Sequence, residues 1–402
     1  MKEAALDAST VRGLRWRFVV LWVVLLASSV FLLDTYIVPA WILWCNPPWP
    51  ALPRLNIKKG GVSTAGFSNG ADFAHQLHIT YSSVIDATCV FAGQPFHCAA
   101  TRFPDDHLVE AIPASSVPTC IGCPSGKTLI YDHCKAHPEW VDIGALPDYP
   151  RRVCDGRGLN TSVCMDHTDN LSDDRVFLFR GTQDRCYKPG SVENVQHLYS
   201  MFLEKPEAQI RMVNTVGYAH AFPRNKTKIP GKKHGYDGAG ECLRWIYPGG
   251  IKPAVDFKRK NIYNYNQDEF MQAISGVGIN GRGHLYIPDA CSPPTKAAGA
   301  NADATTALHK TKPCRLVILA AGCNGFGGWI ENFAKYAESN DIVLLQPCVG
   351  GYVDPFRYPG AHEIKRGMLD VYGQLSRDYT MKSAPHMKFV GQVLEKLSGW
   401  KV

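Results

Sequence analysis

Gly66-Phe67-Ser68-Asn69-Gly70 is a Gly-x-Ser-x-Gly. This spacing sets a serine on a sharp strand-to-helix turn and lifts its hydroxyl above a sheet. A serine hydroxyl attacks a carbonyl only when a base removes its proton and a carboxylate holds that base in the right tautomer. The flanks suit such an elbow. Ala74, Leu77, His78 and Tyr81 recur at helical spacing, which predicts an amphipathic helix over 69–81. Ile85 to Ala92 is a short apolar run closed by Gly93, which predicts a buried strand. Ser63, in Gly61-Val62-Ser63-Thr64-Ala65, competes but lacks the second glycine. Ser68 is the candidate nucleophile, and a helix N-cap serine is its plainer reading.

Two further strands supply the partners. Val176 to Arg180 runs into Gly181-Thr182-Gln183-Asp184, and Gln209 to Thr215 runs into Val216-Gly217-Tyr218-Ala219-His220. Asp184 and His220 thus fall on loops after successive strands, in the chain order Ser, Asp, His. Asp173 and Asp174 are rival carboxylates, and a turn aspartate and a structural histidine are the plainer alternatives. An oxyanion hole needs the amide after the nucleophile, here Asn69, and a second amide from another strand's loop. Too few residues lie between the proline-rich stretch Pro47 to Pro53 and Ser68 to build the first strands. Far downstream, Arg315 to Ala321 is strongly apolar and ends in Gly322-Cys323-Asn324-Gly325, followed by a helical stretch, Trp329 to Ser339, and the strand Ile342 to Gln346. Cys323 is the candidate second amide. The expected fold is α/β: a circularly permuted α/β-hydrolase, mostly parallel sheet flanked by helices. The expected chemistry is ester hydrolysis through an acyl-enzyme, with no metal and no organic cofactor.

The elements that must position these residues are bounded by composition. The 402 residues, 45% hydrophobic, suffice for a large core. The net charge of +7 comes without a Lys/Arg cluster interleaved with aromatics, which argues against a nucleic-acid partner. Phe18 to Leu33 is free of charge, a second apolar stretch follows at Tyr36 to Trp44, and Arg12, Arg15 and Arg17 precede both. This pattern predicts a cytoplasmic tail (1–17), a signal anchor that spans the membrane (18–44), a proline-rich linker (45–54) and a lumenal or extracellular domain (55–402). A cleaved signal peptide, with small residues at Ala27-Ser28-Ser29, is the alternative and gives a secreted chain.

Fourteen cysteines, all beyond Leu33, suit export and disulfides. Cys120, Cys123 and Cys134 offer part of a zinc spacing, but no second pair stands at ligand distance, so disulfides are preferred. Cys291 and Cys314 bracket a low-complexity loop and are the expected pair across it. Asn160, Asn170 and Asn225 begin N-glycosylation sequons. Residues 94–174, rich in Cys, Pro, Asp and Gly, read as a cross-linked insertion serving as a lid or cap.

Several of these blocks together resemble the exported polyhydroxybutyrate (PHB) depolymerases with a permuted catalytic domain. The segment from Gly61 to Ala99, with Gly93, Pro95 and Cys98, is similar to that family's nucleophile block. RGTQDRCYKPGSVENV (residues 180–195) resembles its aspartate block, and Ala219-His220-Ala221-Phe222-Pro223 its histidine block. Residues 236–247, 284–291, 314–323 and 336–347 are similar to later segments. The resemblance implies Ser68, Asp184 and His220 as a triad, Asn69 and Cys323 as oxyanion donors, and an ester substrate, including a polymeric one. Two departures are visible. The family's His-Gly-Cys is Ala321-Gly322-Cys323 here, and its Gly-Cys-Trp-Asp motif has no counterpart around Tyr372 to Asp378.

Overall fold

The computed structural model describes residues 49–99, 133–156, 158, 160, 163–224, 235–271, 276–293, 312–320, 329–358, 361, 364–376 and 378–402, with Trp22 and Ser28. Two compact units divide the chain, Met1–Pro50 and Ala51–Val402. The proposed anchor at 18–44 lies, apart from Trp22 and Ser28, outside the described residues. Among the described residues no helix is long and apolar enough to cross a membrane.

The second unit is built on β1 (Ile57–Phe67), α1 (Asn69–Thr80), β2 (Ala87–Phe91), β3 (Arg175–Phe179), α2 (Ser191–Ser200), β4 (Ile210–Val213), α3 (Gly238–Ile246), β5 (Ile262–Asn266), β6 (Val277–Ile279), β7 (Arg282–Tyr286), β8 (Cys314–Ala320), α4 (Trp329–Asn340), β9 (Ile342–Gln346), β10 (Val349–Val353) and α5 (Pro385–Ser398). Eight strands form one sheet in the order β4-β3-β2-β1-β8-β9-β7-β5. The six from β4 to β9 are parallel; β7 and β5 are added antiparallel at one edge. β6 and β10 pair separately. The strand that ends at Ser68 is therefore central, flanked by β2 on one side and by β8 on the other, with Ser63 opposite Val317 and Gly66 opposite Ala320.

The central strands are apolar on both faces because both are covered. Along β8, Leu316, Ile318 and Ala320 join one core layer, and Val317 and Leu319 join the other. α1 and α5 cover the first face, extended by α2 beyond β2 and β3; α3 and α4 cover the second. α1 differs from its expected amphipathic character. Every residue from Asn69 to Thr80 is buried, including Asp72, His75, Gln76 and His78. The helix is enclosed because its residues contribute to two core layers: Phe73, Ala74 and Leu77 to one, Ala71 and Ile79 to another.

Four described disulfides staple this unit. Cys291–Cys314 closes the low-complexity loop as expected. Cys89–Cys242 ties β2 to α3, while Cys98–Cys134 and Cys154–Cys164 hold the insertion. Cys134 is thus a disulfide partner, and Cys120 and Cys123 lie outside the described residues. Such cross-links suit a secreted protein.

The elbow has no room for a side chain at Gly66. A Cβ there would sit 1.9 Å from the carbonyl oxygen of Gly70 and 2.6 Å from the amide nitrogen of Ala71. Both obstacles are backbone, so no rotamer change relieves them. Gly66→Ala is expected to cost about 3 kcal/mol or more of stability, read as a lowered urea midpoint; a wild-type midpoint would contradict this packing.

Candidate active site

Ser68 occupies the turn between β1 and α1 at φ 57°, ψ −129°, a conformation L-residues avoid unless the surroundings impose it. The imposing contacts are local. Its N–H donates to the Phe91 carbonyl of the neighbouring strand (2.9 Å), and its own carbonyl accepts from Ala71 and Asp72 N–H (2.8 and 3.1 Å). The side chain is left pointing away from the sheet, half-buried, with Oγ 2.9 Å from His220 Nε2.

Asp184 and His220 reach it because their loops are laced together. Thr182 N–H donates to the Val216 carbonyl (2.9 Å) and Gln183 N–H to that of Tyr218 (3.0 Å). A Cβ at Gly181 would lie 2.1 Å from Tyr218 O, so glycine permits this approach. Asp184 Oδ2 then sits 2.9 Å from His220 Nδ1. Its other oxygen, Oδ1, accepts the N–H groups of Cys186 (2.8 Å) and Tyr187 (2.9 Å), the pattern of a side chain capping its own turn. The carboxylate is almost sealed from solvent, whereas the imidazole is 23% exposed, open toward an incoming molecule. Phe67 packs on the imidazole at 4.8 Å between ring centroids, and Tyr187 stacks on it at 5.5 Å with planes 11° apart.

The rival residues are engaged elsewhere. Ser63 is buried, its Oγ 3.1 Å from Tyr247 Oη. Asp174 accepts from His78 Nε2 at 2.9 Å, with Tyr199 Oη 2.8 Å from the other ring nitrogen, and Asp173 is exposed. Asn69 begins α1, where the first N–H groups have no intrahelical acceptor. Its side chain is clamped to the backbone of Leu369, donating to the carbonyl (2.9 Å) and accepting the N–H (2.8 Å). Cys323 lies outside the described residues, as does Asn225. Asn160 and Asn170 are exposed.

Sequence reasoning missed a second layer. Tyr187, fully buried, donates its hydroxyl to Asp72 Oδ2 (2.7 Å), and Gln94 N–H donates to Asp72 Oδ1 (2.7 Å). The same hydroxyl lies near Ser68. Tyr187 therefore touches the His220 imidazole with its ring, the Asp184 carboxylate with its amide and the surroundings of Ser68 with its hydroxyl. Lys135, from the insertion, places its ammonium 5.7 Å from the Tyr187 ring centroid and 3.3 Å from Tyr372 Oη. The insertion and the Tyr372 segment thus both meet beside the site. No spacing rule couples Tyr187 to Asp72, which are 115 residues apart.

Burial pushes the Asp72 carboxyl up from 3.8 to about 8, against the Tyr187 and Gln94 hydrogen bonds and the charge of Lys135. Between these values the folded chain holds a proton that the unfolded chain has released. Stability is therefore lost as pH rises from about 4 to 8, the reverse of the usual salt-bridged aspartate. Asp72→Asn can keep the Gln94 bond through its oxygen, let its NH₂ donate to the Tyr187 oxygen in place of the bond Tyr187 donated, and remove this loss. The expected result is a smaller drop in urea midpoint between pH 5 and pH 8 than wild type shows; an equal drop would mean that Asp72 is ionised in the fold.

One group among the described residues has the donor chemistry of a metal site: Asp184, Cys186 and His220, with ligand atoms within 4.8 Å of one another.

A mostly parallel sheet covered by helices on both faces, with a strained serine elbow on a central strand, defines an α/β-hydrolase fold. No protein-family model matches the sequence. The chain is 24% identical over 367 residues to a poly(3-hydroxybutyrate) depolymerase of Delftia acidovorans, covering 86% of this chain and 61% of that protein. It is 24% identical over 325 residues to a polyhydroxybutyrate depolymerase of Talaromyces funiculosus, covering 74% and 77%. The chain thus spans about three fifths of the first relative's length.

Two solved structures share the fold. One is a PHB depolymerase with a serine-to-alanine substitution, complexed with an R3HB trimer (TM-score 0.60, 20% identity, 87% of this chain and 99% of that one). The other is the PHB depolymerase from Penicillium funiculosum (TM-score 0.59, 20% identity, the same coverage). Sequence and fold thus point to the same relatives, and the chain is similar in both to PHB depolymerases.

Proposed function

We propose that the protein is a serine carboxylester hydrolase that cleaves esters of the PHB type. The support is one continuous hydrogen-bonded chain, Asp184 to His220 to Ser68, at a strained elbow, in a chain related to PHB depolymerases. Ser68 Oγ attacks the ester carbonyl while His220 Nε2 takes its proton. Asp184 keeps the Nδ1–H in place and stabilises the imidazolium. The amides of Asn69 and Cys323 receive the oxyanion. Collapse expels the alcohol, protonated by His220, and water activated by the same nitrogen releases the acid from Ser68.

In this reading the sheet is permuted: β8, the strand late in the chain, carries the oxyanion loop beside β1, which carries the nucleophile. The Cys-rich insertion acts as a cap, since Lys135 stands beside Tyr187. The chain is exported. The disulfides suit release after cleavage within 18–44, and retention of that segment as an anchor, with 1–17 cytoplasmic and 45–54 as linker, is the alternative. Asn160, Asn170 and Asn225 are the proposed glycosylation sites.

The test is a substrate panel: amorphous PHB, soluble 3-hydroxybutyrate oligomers, short nitrophenyl esters, acylated polysaccharide and aromatic esters. Release of hydroxybutyrate is the expected result. Turnover of the other esters without it would keep the hydrolase and change the substrate; no turnover of any ester would overturn the reading.

A further inference from the structure

The carboxylate side of the site carries a thiol that ester hydrolysis does not use. Cys186 follows Asp184 by two residues, and its amide is held by Asp184 Oδ1. That turn brings the Cys186 sulfur, an Asp184 oxygen and a His220 nitrogen within 4.8 Å of one another. A cavity of about 680 Å³ opens on this group and is lined by all three residues, with Thr182, Gln183, Arg185 and Ala219 completing the wall. A route from solvent therefore leads to these three residues.

We infer that Asp184, Cys186 and His220 form an inhibitory site for a thiophilic divalent cation such as Zn²⁺. Sulfur, imidazole and carboxylate are the three donor types zinc takes, at metal distances of about 2.0–2.3 Å. Tetrahedral ligands at such distances stand roughly 3.6 Å apart, so side-chain swings of about an ångström close the set. The balance is simple. Zn²⁺ bonds the Cys186 thiolate, His220 Nδ1 and an Asp184 oxygen; the thiol proton passes to solvent, and the imidazole, neutral as a ligand, carries its one N–H on Nε2, where it cannot take the Ser68 proton. No oxidant or reductant takes part. The metal then occupies the position of the proton shared by Asp184 and His220, and the imidazole is no longer oriented toward Ser68. Arg185, at the cavity wall, opposes the cation electrostatically and favours a ligand set that includes the thiolate.

Inhibition rests on the hydrolase reading; binding does not, and the test separates them. The full chain is titrated with Cd²⁺ while the ultraviolet charge-transfer band of a cadmium–thiolate bond is recorded, for wild type, Ser68→Ala and Cys186→Ser. One equivalent of band is expected in the first two and not in the third. Turnover of a nitrophenyl ester is then titrated with Zn²⁺ and restored with EDTA. Losing a direct ligand costs no less than the about 10–100-fold that outer partners cost, so Cys186→Ser should need at least about tenfold more Zn²⁺ for the same inhibition. An unchanged band, or unchanged Zn²⁺ sensitivity, in Cys186→Ser overturns the site. Cys186→Ala serves the same comparison should the serine variant fold poorly. A thiol-dependent band in a protein that hydrolyses no ester overturns the hydrolase reading and leaves the metal site standing.

Discussion

Replacing Ser68 by alanine is expected to lower kcat on a nitrophenyl ester by about 10⁴–10⁶-fold, while fold and stability stay near wild type. The first half follows from the role of Oγ: it is the atom that forms the acyl bond, and no neighbouring group can take its place. Ser63 is buried and bonded toward Tyr247, and the hydroxyl of Tyr187 is committed to Asp72. The second half follows from what holds the elbow. The bonds at position 68 are backbone bonds, from its N–H to Phe91 and from Ala71 and Asp72 to its carbonyl, and alanine keeps all of them. Alanine also tolerates the positive φ no worse than serine, so the strain is unchanged. Far-ultraviolet circular dichroism and the urea midpoint check the fold, and steady-state kinetics check the loss. A variant that keeps a tenth of the activity would remove Ser68 from the mechanism.

Asp184→Asn is expected to cost about 10⁴-fold in kcat with little change in KM. The carboxylate accepts from three donors at once: His220 through Oδ2, and the N–H groups of Cys186 and Tyr187 through Oδ1. An asparagine oxygen can satisfy the two amides, which fixes its NH₂ toward His220 Nδ1. That NH₂ donates, so the imidazole must present a bare Nδ1 and carry its proton on Nε2. The nitrogen facing Ser68 is then a donor and cannot take the hydroxyl proton. The loss thus arises from the wrong tautomer and not from a displaced loop, which makes the KM-against-kcat split the informative readout. An equal rise in KM with kcat preserved would indicate a binding role for Asp184 instead.

Much of this site was legible in the sequence, for reasons that differ from residue to residue. The central strands read clearly because they are buried on both faces, so 87–91, 175–179, 314–320 and 342–346 stand out as mostly apolar runs. Asp184 followed from where the Val176 run ends, His220 from the end of Gln209 to Thr215, and the elbow from its Gly-x-Ser-x-Gly spacing. The antiparallel strands β5 and β7 escaped notice because they alternate and carry Asn, Tyr, Arg and His. α1 misled in character, since its polar residues point into a dense buried network and not to water. Tyr187 and Asp72 were illegible for a stronger reason: their meeting is purely tertiary, made when the Asp184 turn folds down onto the elbow helix. Disulfide partners divide in the same way. Cys291–Cys314 brackets a loop, whereas Cys89–Cys242 joins residues 153 apart, and spacing carries no information about it.

The proposed mechanism requires Ser68 to be a nucleophile activated by His220 and Asp184. Fluorophosphonates react only with a serine so activated, forming a stable phosphonyl ester that survives proteolysis. The purified protein is treated with such a probe and the modified peptide is located by mass spectrometry. One adduct is expected, on Ser68, lost in His220→Ala. No adduct, an adduct on Ser63, or labelling of Ser68 undiminished in His220→Ala would contradict it.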